Sequence, residues 1–83
     1  MAIRETAIEA ARQHGMPYLP GSLWATLVSE AAAAIAALPE NATREDATMA
    51  VMAYAVRPRS WEPPHRLRAT LCEGLAARIR RLS

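Results

Sequence analysis

The sequence predicts an all-α protein, a compact bundle of about four short helices forming one domain over residues 1–83, and three observations carry that prediction. Alanine, the strongest helix former, supplies 19 of the 83 residues. Phenylalanine is absent and β-branched residues are few, which removes the usual material of strands. Apolar residues recur at helical spacing in four stretches, separated by breaks that contain proline or a polar turn. Without the alanines only 24 larger apolar residues remain, so the core is thin. A chain of this length buries about 60% of the surface its unfolded form exposes, so stability must come from close helix packing or from a second chain.

The first helix is expected over about residues 2–14, with Ile3, Ala7, Ala10, Ala11 and His14 on one face and Glu5, Glu9, Arg12 and Gln13 on the other. Gly15 reads as its stop, in the left-handed conformation that often closes a helix. Pro17 and Pro20 then stiffen a connector that holds Tyr18 and Leu19, and Ser22 is a suitable N-cap for the next helix. The second helix, about 23–38, gathers Leu23, Trp24, Leu27, Val28, Ala31, Ile35 and Leu38 on one arc. Its other side, Ala25, Ser29, Ala32, Ala33, Ala36 and Ala37, is smooth and uncharged, and Glu30 is its sole ionisable group. Such a helix should be central in the bundle or packed against another copy of the chain.

Thr43 and Asp46 have the spacing of a capping box at the head of a third helix, about 44–56, which carries no charge from Ala47 onward and reads as buried on more than one side. Residues 57–64 form the longest non-helical segment, and Pro63 or Pro64 suits the first turn of the last helix. That helix runs to about Leu82 on a stripe of Leu67, Leu71, Leu75, Ile79 and Leu82, with Arg68, Cys72 and Arg78 at its edges.

Chemistry-bearing motifs are missing. His14, His65 and Cys72 do not converge as metal ligands, since two helical turns separate the last two, about 10 Å along the axis. Three glycines build no phosphate loop, no Gly-x-Ser-x-Gly occurs, and Asp46 has a sufficient role as a cap. We therefore expect a non-enzymatic protein with no cofactor, no metal and no catalytic residue. A helix-turn-helix over residues 7–27 fails because Pro17 and Pro20 fall where its second helix should begin and run. Neither a disulfide partner for Cys72 nor a secretory leader is evident, and the stretch 22–38 carries Glu30 among alanines, so a cytoplasmic protein without a membrane span is expected.

Charge distribution says more. Residues 1–42 carry a net −2 and residues 43–56 a net −1, whereas residues 57–83 carry seven arginines against Glu62 and Glu73, a net +5. The basic third should meet something negative. Arg57, Arg59, Trp61, Arg66 and Arg68 are the candidate partner-binding residues, because arginine and tryptophan anchor interfaces and a proline-bounded backbone loses little entropy on docking. The expected role is stoichiometric binding to a macromolecule, as regulatory adaptor, inhibitor or assembly factor, with a protein as partner. The alternative is a nucleic-acid-binding regulator that uses the same arginines, with Trp61 stacking on a base. A single charge between Leu23 and Leu38 and none from Ala47 to Val56 add the expectation of a homodimer.

Overall fold

The computed structural model describes residues 2–56 and 65–82, with side chains from Leu67 onward in the last helix. It is all-α: helices α1 (Ile3–Gly15), α2 (Leu23–Ala36), α3 (Arg44–Ala55) and α4 (His65–Arg80), with no strand among the described residues. Its radius of gyration, 11.9 Å, matches the roughly 12 Å of a compact domain of this length. No helix of the described residues is long and apolar enough to cross a membrane.

Each boundary has a local cause. Ser22 Oγ accepts from the Ala25 amide and opens α2, and Thr43 and Asp46 exchange both bonds of the capping box at α3. Gly21 is the one residue with positive φ, +83°, among those described, and it turns the connector into Ser22. Tyr18 stacks on Trp24 with ring centroids 5.6 Å apart, which ties that connector to the first turn of α2.

Gly15 does not end α1 by a left-handed turn. It is the last helical residue, Met16 follows in a right-handed conformation, and a Cβ at Gly15 would stand 2.7 Å from Val28 Cγ1. The glycine is needed for the close approach of α1 to α2.

Packing runs in chain order. α1 lies along α2 and α3 along α4 as two helical hairpins, and α2 and α3 join them. The core between them draws Ala7 and Ala11 from α1, Leu27, Val28, Ala31 and Ile35 from α2, Val51 and Tyr54 from α3, and Leu71, Cys72, Leu75 and Ile79 from α4. Long-range polar ties close the ends: Arg4 donates to the Leu38 carbonyl at 2.8 Å, and Arg44 donates to the carbonyl of Leu82.

Two expectations change here. α3 is not buried on more than one side: Ala47, Thr48, Val51, Tyr54 and Ala55 form a single inward arc, while Met49 and Val56 are 62% and 78% exposed. Of the two alternatives for α2, enclosure within the chain does not hold, since Thr26, Ser29, Ala33 and Ala36 all face outward. Four short helices arranged as two hairpins give each helix an outer side, and a lack of charge does not change that geometry.

Candidate contact surface

The basic third of the chain is built on α4, and its described arginines divide into two kinds. Arg78, Arg80 and Arg81 are exposed near the C-terminal end of the helix, where positive charge opposes the negative end of the helix dipole. No carboxylate pairs with them among the described residues, in contrast to Arg4 with Glu5 at 2.7 Å and Arg12 with Glu9 at 3.5 Å. Arg78 also donates to the Ala10 carbonyl at 3.4 Å, which ties it to α1. Arg44, at the start of α3, lines a groove of about 310 Å³ with Glu45, Thr48, Met49 and Arg80.

Arg68 is of the other kind. It is 1% exposed, its Nε donates to the Ala55 carbonyl at 3.3 Å, and its guanidinium lies 5.4 Å from the centroid of the Tyr54 ring. Tyr54 in turn donates from its hydroxyl to Glu30 Oε1 at 2.6 Å. A polar chain thus runs through the interior from α2 through α3 to α4. Arg68 therefore leaves the set of surface contact residues expected from sequence: a charged group this deeply placed holds helices together.

The signal for this was in the spacing. Arg68, Cys72, Leu75 and Ile79 recur at four, three and four residues, which is one helical face, and Leu71 and Ala76 flank it. Reading the stripe from Leu67 and Leu82 shifts it toward residues that are only half-buried and puts Arg68 at an edge when it occupies the centre. Glu30, the lone charge of α2, is the acceptor end of the same chain.

Of the other candidate residues, Arg57, Arg59 and Trp61 lie outside the described residues, as does the side chain of Arg66 in the first turn of α4. The titratable groups elsewhere have structural explanations. Arg4 hydrogen-bonds the Glu5 carboxylate and holds it below the ordinary range. Partial burial against α4, with the charge of Arg78 nearby, lowers the pKa of His14. Cys72 is buried, and among the described residues no three His, Cys, Asp or Glu side chains gather as metal ligands.

No protein-family model, curated protein or solved structure matches this chain.

Proposed function

We propose that this protein acts without catalysis, as a stoichiometric binder of a macromolecule, and that the basic segment carrying Arg57, Arg59, Trp61 and Arg66 is its contact surface for a protein partner. The observation that carries this reading is the charge asymmetry: a net +5 over residues 57–83 on a chain whose first 56 residues are acidic. Arg78, Arg80 and Arg81, exposed and paired with no carboxylate among the described residues, extend the same basic character along α4. Regulatory adaptor, inhibitor and assembly factor are the roles that fit a small binder of this kind.

The test begins with capture of the partner from the native cell after nuclease treatment, and then titration of the purified pair. Trp61→Ala and Arg59→Ala should each weaken binding by about 2 kcal/mol, some thirtyfold, while the melting temperature stays nearly unchanged. If Trp61→Ala instead lowers stability by more than about 2 kcal/mol, the tryptophan is core and the surface is misplaced.

A nucleic acid is the second reading, favoured by the same run of arginines beside a tryptophan. It requires that mixed-sequence DNA or RNA bind the parent at low salt. Neutralising Arg57, Arg59 and Arg66 should then flatten the salt dependence by about one unit of slope per lost phosphate contact. Absence of binding by the parent removes it.

A further inference from the structure

We draw no further inference here: the strongest candidate, the exposed Met49 and Val56 on the outer side of α3 beside the groove that Arg44 and Arg80 line, is an unpartnered apolar face, and with Glu45 in the same groove nothing in the structure shows what covers it.

Discussion

At the scale of single residues, Arg68 shows how a side chain can be misassigned from composition and corrected by its register. Its guanidinium lies over Tyr54 and its Nε bonds the Ala55 carbonyl, so truncation removes packing and a hydrogen bond together. Arg68→Ala should destabilise the protein by about 3 kcal/mol, the cost of breaking a buried charged arrangement, and thermal unfolding would show it as a fall of some 10 °C or more. Arg68→Lys should rescue little, because an ammonium neither stacks flat on the ring nor reproduces the guanidinium donors. His14 gives the residue-level pH dependence. Burial against α4, then the charge of Arg78, favours its neutral form in the fold, whereas the unfolded chain takes up a proton near the ordinary value of 6.5. The contribution is therefore fully present above about that pH and is lost as the pH falls through it toward the lowered folded value. Chemical denaturation between pH 7.5 and 5 should show this loss in the parent and a flatter profile in His14→Gln.

At the scale of elements, the four helices and two of their caps were legible because each depends on neighbours in sequence. Ser22 and the Thr43–Asp46 pair work within one turn, and apolar spacing reports a helix whatever it packs against. Gly15 was legible as a helix terminus but not in its reason, since Val28 lies thirteen residues away and only the crossing of α1 on α2 brings it within 2.7 Å of a Cβ. This reverses an ordinary expectation. Gly→Ala inside a helix usually stabilises by about 0.5–1 kcal/mol, yet here Gly15→Ala should cost about 1–3 kcal/mol, measured as a lower denaturation midpoint. Combining it with Val28→Ala should give a double variant less destabilised than the sum of the two single changes. The stripe of α4 makes a second claim: Leu71 and Leu75 are 3% and 0% exposed, so Leu71→Ala and Leu75→Ala should each cost about 2–5 kcal/mol in equilibrium unfolding. Melting within a couple of degrees of the parent would place α4 outside the core.

At the scale of the whole molecule, what the sequence could not convey is which helix sides remain outside. Periodicity marks a helix face as apolar, but only the pairing of α1 with α2 and α3 with α4 decides whether the uncharged side of α2 is covered within the chain. Charge segregation, by contrast, is a sum over residues and was legible in full, even though one of its arginines turned inward. The thin core and the exposed face of α2 have a joint thermodynamic consequence. A folded chain that pairs with its own copy is stabilised by mass action, by roughly 1.4 kcal/mol when the concentration exceeds the dissociation constant tenfold. For a domain of this length that corresponds to a rise of about 5 to 10 °C in melting temperature. If the homodimer expected from the sequence forms, calorimetry across a hundredfold range of protein concentration should show a melting temperature that climbs with concentration, and a level one overturns that expectation.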